Sequence, residues 1–281
     1  MSISAMTEEL EKHIEKILLQ QKVNRDRYKQ AVPFEHAVIE NILPKKCVQR
    51  IQKEFPNTNS SVWKRRYQNV NENKLASDAF FQWGGFTQVL FIYLNSAPFL
   101  RRLERLTGIE NLIPDPYFLG GGLHCLPEGG KLNVHVDFNT HPALQLDRRL
   151  NLLIYLNQDW KTEYGGNLIL KNDEKEISII PECNRAVVFS TTSSSFHGNP
   201  DPVCAPQGRT RNSLALYYYT SSRPVEEQVE HSTIFKLQEN QMVSMAQQAR
   251  AYERMLTMIQ EIVQSKLDDR TKVSRINQLL R

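Results

Sequence analysis

From Pro114 to Thr220 the chain breaks into short apolar runs, each closed by Gly, Pro, Asn or Asp. Strands are expected at Tyr117–Leu126, Lys131–Asp137, Arg149–Asn157, Asn167–Lys171, Glu176–Ile180 and Arg185–Ser190. A short piece around Phe196 and the run Arg211–Thr220 complete the series. All are rich in Val, Ile, Leu, Tyr and Phe, the residues that fit a pleated, half-buried surface. Short strands at even spacing predict two packed sheets, a sandwich or jelly roll. Nothing longer-range in the sequence repeats.

Before Pro114 the period is helical, which makes the class α+β and places helices on one outer face of the sheets. Thr7 ahead of Glu8 and Glu9 predicts a helix start, with Leu10, Ile14, Ile17 and Leu18 on one face. Pro44 opens a second helix that turns Cys47, Val48 and Ile51 inward and ends at Phe55-Pro56. A third pattern runs from Val89 to Leu94. A fourth starts at Ser96, carries Phe99, Leu100, Leu103 and Leu106, and stops at Gly108. The polar stretch Asn57–Asn73 reads as loop.

From Glu226 the helical period returns. Met242, Met245, Ala249, Tyr252, Leu256, Ile259 and Val263 alternate three and four residues apart, and Val273, Ile276 and Leu279 form a last short pattern. Such a helix either packs on the sheets or offers a Met-rich seam for a homodimer or partner. The expected organisation is therefore a helical support over 1–113, a β core over 114–225 and a C-terminal helical extension over 226–281.

Composition narrows the class further. Of 281 residues, 40% are hydrophobic and 23% charged, enough for a packed core and too apolar for global disorder. The net charge of +4 comes without a dense basic block beyond Lys64-Arg65-Arg66, which argues against a nucleic-acid stripe. No run approaches the roughly 18 apolar residues of a membrane span. The first residues lack the basic and apolar regions of a secretion signal. Cys47, Cys125, Cys183 and Cys204 are scattered, with no Cys-x-x-Cys. A reducing cytoplasm is the expected compartment.

Four polar residues stand out against the apolar strands. His135-x-Asp137 ends one strand, and alternation puts both side chains on the same face. His197 lies late in the β region, where a jelly roll folds back over its earlier sheet. Two imidazoles and one carboxylate, with the other positions open, are the ligand set of non-haem Fe(II) oxygenases. Arg211-x-Ser213 opens the last strand. A guanidinium there suits the far carboxylate of a dicarboxylate co-substrate such as 2-oxoglutarate, which chelates iron through its keto-acid end. The alternative for Arg211 is an ordinary surface arginine. His124 faces either the core or the pocket, and the core is favoured. His141 is expected in a surface loop, and Arg148 or Arg149 at the substrate mouth. His13, His36 and His231 suggest no ligand role.

In order and spacing, several marks resemble the 2-oxoglutarate/Fe(II) dioxygenase superfamily, in its prolyl-4-hydroxylase-like branch. They are His135-x-Asp137, Leu-Ile-Tyr155-Leu-Asn-Gln-Asp-Trp160, Gly165-Gly166-Asn-Leu, Phe-His197-Gly and Arg211-x-Ser213. The resemblance covers residues 114–220 and implies a double-stranded β-helix. It implies that His135, Asp137 and His197 bind Fe(II), and that Arg211 holds the distal carboxylate of 2-oxoglutarate, with O2 as second co-substrate. It implies that Tyr155 adds a phenol hydrogen bond to that carboxylate, the alternative being a buried core aromatic. Gly165-Gly166 would serve as a turn.

Two departures shape the expected chemistry. Several prolyl hydroxylases carry Tyr where this chain has Leu126 before Pro127, which loosens the tie to proline. A carboxylate at Asp137, where related halogenases have a small residue, favours hydroxylation. The expected reaction is hydroxylation of an unactivated C–H bond in a small-molecule, amino-acid or sugar-type substrate, with release of succinate and CO2. Alternatives are a protein or peptide prolyl hydroxylase, a Zn(II) or Mn(II) cupin-type enzyme, and a non-catalytic jelly-roll interaction module.

Overall fold

Helices and sheet share one apolar interface, and the helices come first. α1 (Ile3–Gln20) starts a turn before Thr7 and buries Leu10 and Ile14. α2 (Arg25–Lys29) is capped by the Asn24 side chain, which accepts from the Arg27 amide at 3.0 Å. β1 (His36–Ile39) follows, then α3 (Lys45–Glu54), which begins after Pro44 and turns Cys47, Val48 and Ile51 inward.

α4 (Gly85–Leu94) has no capping side chain of its own, because Gly84 stands at its N-cap. Glu54, at the end of α3, takes over that role. Its carboxylate accepts from the amides of Phe86 at 3.1 Å and Thr87 at 2.8 Å, satisfying donors that would otherwise be orphaned. α5 (Ala97–Thr107) stops at Gly108, whose φ of 73° is the left-handed conformation of a helix end.

The polar stretch expected to be loop is instead a hairpin, β2 (Arg65–Gln68) and β3 (Glu72–Ser77). The remaining strands are β4 (Ile113–Pro114), β5 (Gly122–Leu126), β6 (Lys131–Val136), β7 (Asp147–Tyr155), β8 (Leu168–Lys171) and β9 (Glu176–Ile179). After them come β10 (Ala186–Ser190), β11 (Phe196–Asn199), β12 (Arg211–Thr220) and β13 (Ile234–Phe235). β5 begins five residues later than its apolar pattern, since Tyr117–Gly121 is irregular. A side chain at Gly122 would collide with the Ser77 carbonyl, so β3 can run beside β5 only with glycine there.

The strands pair antiparallel in the order β1-β10-β7-β12-β5-β3-β6-β11-β8-β9, with β2 on β3, β4 on β12 and β13 on β6. This curled sheet forms the half-barrel of a double-stranded β-helix. Alternation sorts its two faces. Leu150, Leu152 and Ile154 of β7 and Leu214, Leu216 and Tyr218 of β12 join the helical residues in one core. Asn151 and Leu153 of β7 and Arg211, Ser213 and Tyr217 of β12 point the other way and line a cavity.

The computed structural model describes residues 3–224, 227, 231–236, 259–260, 262–264, 268 and 271. Residues 1–235 form one compact unit and 236–281 another. The heptad-like seam expected from Met242 to Val263, and the short pattern after it, lie outside the described residues except at isolated positions. Among the described residues no helix is long and apolar enough to cross a membrane.

Candidate active site

His135 on β6 and His197 on β11 are direct register partners, so their side chains leave adjacent strands on one face, with ring centroids 4.5 Å apart. The register shifts between His197 and Asn199, which lets Leu132 and His135 line the same cavity despite their odd spacing. Asp137 follows directly on the end of β6. Its Oδ1 lies 3.5 Å from His135 Nε2 and its Oδ2 lies 3.2 Å from His197 Nε2. One ligand atom from each of the three residues lies within 4.8 Å of the others.

The tautomers follow from the backbone. His135 Nδ1 is 2.8 Å from the Asn133 carbonyl, and His197 Nδ1 is 3.0 Å from the Ser195 carbonyl. A carbonyl can only accept, so each Nδ1 carries the proton and each Nε2 turns a lone pair into the shared space. Burial, helped by the nearby His197, pushes the His135 pKa down and keeps that ring neutral. Burial acts to raise Asp137, but Arg148 and the two imidazoles outweigh it and hold the carboxyl well below its ordinary value. Two imidazole nitrogens and one carboxylate, desolvated and convergent, fit a divalent ion such as Fe(II).

Arg211 lines the same cavity and is 4% exposed. Its Nε donates to the Gly166 carbonyl at 3.2 Å, and its Nη1 and Nη2 lie 3.4 Å from Ser213 Oγ and Tyr155 Oη. Its guanidinium carbon sits 4.8 Å from the Tyr155 ring centroid. Among the described residues it forms no ion pair. Burial lowers its pKa and the neighbouring Tyr155 only partly opposes that, as for a cation without a counter-ion. Tyr155 is fully buried, with its ring in an apolar cluster beside Leu168, Leu170 and Phe189, and burial raises its pKa. Gly166 is close-packed against the Arg211 stem, so the glycine pair brings the backbone near the guanidinium.

The other polar residues sort as follows. His124 is buried on β5, its Nε2 2.9 Å from the Gly120 carbonyl, and it also borders the cavity. Its pKa is pushed down to about 3, first by burial and then by Lys74. His141 is not on the surface as expected. It is buried, and its Nδ1 accepts from the amides of Ala143 and Leu144 at 3.2 and 3.1 Å, folding the 138–146 loop around itself. Arg148 borders the cavity but is fully buried, its Nη2 2.8 Å from Asp137 Oδ2, whereas Arg149 reaches toward the Ser222 carbonyl. His231 also borders the cavity, close to Ser193 Oγ at 3.0 Å.

Sequence reasoning missed Asn151, whose Nδ2 donates to Asp137 Oδ2 at 2.7 Å. Alternation back from Tyr155 would have found it, as a polar residue facing inward from an otherwise apolar strand. It also missed the hairpin residues Arg65, Tyr67, Glu72 and Lys74 in the cavity wall. Lys74 Nζ is 3.1 Å from Glu72 and 4.9 Å from the Tyr67 ring centroid. The cavity they help enclose measures about 680 Å³.

Comparisons with known proteins bear on the family of the matched region and on the fold. A family model described as the 2OG-Fe(II) oxygenase superfamily matches residues 121–219. No curated protein matches the chain in sequence. Among solved structures, a prolyl hydroxylase from Trichoplax adhaerens, in complex with a hypoxia-inducible-factor peptide fragment, is 20% identical with a TM-score of 0.51. That match covers 75% of this chain and 91% of the other. A prolyl 4-hydroxylase from Phytophthora capsici is 17% identical with a TM-score of 0.52, covering 84% and 72%. HygX from Streptomyces hygroscopicus, with nickel, 2-oxoglutarate and hygromycin B bound, is 10% identical with a TM-score of 0.47, covering 80% and 98%.

Residues 121–219 are thus similar to the 2OG-Fe(II) oxygenase superfamily, on the double-stranded β-helix fold. That match, with the convergent His135, Asp137 and His197, supports a 2-oxoglutarate-dependent dioxygenase that uses Fe(II) and 2-oxoglutarate.

Proposed function

We propose that His135, Asp137 and His197 hold Fe(II), that Arg211 with Ser213 and Tyr155 binds the far carboxylate of 2-oxoglutarate, and that the enzyme hydroxylates a small polar substrate. The observation that carries this reading is the pairing of opposites in one cavity. A convergent set of metal donors and a buried, anion-free guanidinium line the same space. A dicarboxylate chelating the metal at one end would supply the anion that Arg211 lacks at the other.

When bound, iron would activate O2 with the two electrons that 2-oxoglutarate gives up on becoming succinate and CO2, one oxygen atom going to succinate and the other to the substrate. The chain's own part is positional. The carbonyls of Asn133 and Ser195 keep both imidazoles in the ligating tautomer. Leu126, Leu153, Leu168 and Phe189 keep the cavity wall apolar around the reacting bond. Arg65, Tyr67, Glu72 and Lys74 give the hairpin side both signs of charge, which suits a polar substrate such as an amino acid or sugar derivative.

A second reading, prolyl hydroxylation of a protein or peptide, draws on the likeness to the Trichoplax enzyme with its peptide. Succinate release from 2-oxoglutarate, measured separately with a metabolite pool and a peptide pool, tests both. The first reading expects stoichiometric succinate and a product heavier by one oxygen in the metabolite pool. Oxygen gained only on peptide proline replaces it with the second reading. Succinate release from neither pool overturns both.

A further inference from the structure

Asp137 is held by more than the two histidines. Its Oδ2 accepts from Asn151 Nδ2 at 2.7 Å and from Arg148 Nη2 at 2.8 Å, while Oδ1 has only the His135 Nε2 near it, at 3.5 Å, among the described residues. The Asn151 amide cannot be turned the other way. Arg148 Nε and Nη2 both reach its Oδ1, at 3.1 and 2.8 Å, and a guanidinium only donates. The amide must therefore present its NH2 to Asp137. The three side chains close a ring in which every polar atom between them has one possible role.

Arg148 is also fixed from outside that ring. Its guanidinium carbon lies 3.5 Å from the Tyr217 ring centroid and 4.7 Å from that of Phe138. Its amide donates to the Asn139 carbonyl at 2.8 Å, and its own carbonyl accepts from Thr191 Oγ1 at 2.9 Å and from Arg223. A side chain held against two aromatic rings and tied at its backbone amide and carbonyl resists following Asp137 if the carboxylate turns.

A carboxylate with both oxygens free can close on a metal with one or both. On an octahedral ion, two imidazoles and one carboxylate oxygen fill one face, and a two-point co-substrate leaves a single position. A second carboxylate oxygen would take it. Given the ligand assignment above, on which this rests, we propose that Arg148 and Asn151 are positioning residues that latch Asp137 Oδ2. The latch confines Asp137 to single-oxygen ligation and so keeps the O2 position open.

Nitric oxide, a stand-in for O2 with a paramagnetic resonance signal on ferrous iron, reads that position without turnover. The protein is loaded anaerobically with Fe(II) and 2-oxoglutarate and titrated with nitric oxide, with signal expressed per bound iron. Asn151→Ala is expected to weaken nitric oxide binding by about tenfold, the worth of one hydrogen bond to a charged group. Arg148→Met is expected to weaken it more, and Arg148→Lys, which keeps the charge and loses the fork, to fall between. Asn151→Ala retains the buried ion pair, so it carries the test if Arg148→Met does not fold. Wild-type nitric oxide affinity per iron in Asn151→Ala and Arg148→Lys overturns the latch and leaves the ligand assignment standing. Absence of Fe(II) uptake by the wild type overturns both.

Discussion

Arg148 and Arg211 line one cavity and are equally hidden from water, at 1% and 4% exposure, yet their electrostatic situations are opposite. Burial works against the charge of both. At Arg148, Asp137 and the flanking tyrosines more than restore it, and the pKa rises. At Arg211, Tyr155 only partly opposes burial and the pKa falls. At the Asp137 end of the cavity the charges are thus paired within the chain, whereas the Arg211 charge has no ion pair among the described residues. A buried arginine by itself therefore says little about function. Its partner, or the lack of one, tells a structural arginine from a binding one.

The largest expected effect sets the two side by side. Arg148→Met strands Asp137 as a buried, unneutralised charge and is expected to cost about 3–5 kcal/mol in denaturant unfolding of the metal-free protein. Arg211→Met removes a buried charge that has no ion pair among the described residues, so the same measurement should show stability unchanged or raised. Equal destabilisation by both would erase the distinction.

Acid sharpens it further. His124 has its pKa pushed down to about 3 by burial, then by Lys74, Arg211 and Arg148, so the folded protein keeps it neutral. The unfolded chain takes up that proton near the ordinary histidine value of about 6.5. Its contribution is therefore fully present above about pH 6.5 and is lost progressively as pH falls toward 3. Between about pH 7.5 and pH 5 the melting temperature of the metal-free wild type should drop more than that of His124→Gln. A parallel drop in the two proteins would place the acid sensitivity elsewhere.

The smallest effect concerns Tyr155. Its hydroxyl lies 3.4 Å from Arg211 Nη2, a long contact. Tyr155→Phe should weaken 2-oxoglutarate binding only a few-fold, with unfolding free energy changed by less than about 1 kcal/mol. A loss as large as that of Arg211→Met would make the phenol a principal anchor.

Much of this was legible in the sequence. Leu150, Leu152 and Ile154 share the core face by strand alternation, and the polar Asn151 between them marks the face that lines the cavity with Leu153. The helix over Ala97–Thr107 announced both ends through Ser96 and Gly108. The β2–β3 hairpin did not announce itself. Arg65, Arg66, Tyr67 and Gln68 carry no apolar alternation, because one face borders the polar cavity and the other faces water. His141 misled for a related reason. Its loop is polar in sequence, yet it is pinned by the Thr140–Asp147 bridge and folds inward around the imidazole. The ring of Asp137, Arg148 and Asn151 depends on a loop bringing β7 back beside the end of β6, which no local pattern encodes.

The triad and Arg211 are proposed to grip opposite ends of one 2-oxoglutarate molecule. Anaerobic titration of the Fe(II)-loaded protein with 2-oxoglutarate, followed by the visible metal-to-ligand charge-transfer band, tests it most directly. The account predicts a saturable band in the wild type and no band in His135→Ala. In Arg211→Met it predicts a band that needs at least about tenfold more 2-oxoglutarate while iron content is unchanged. A wild type without the band, or an Arg211→Met titration that overlays the wild type, would contradict it.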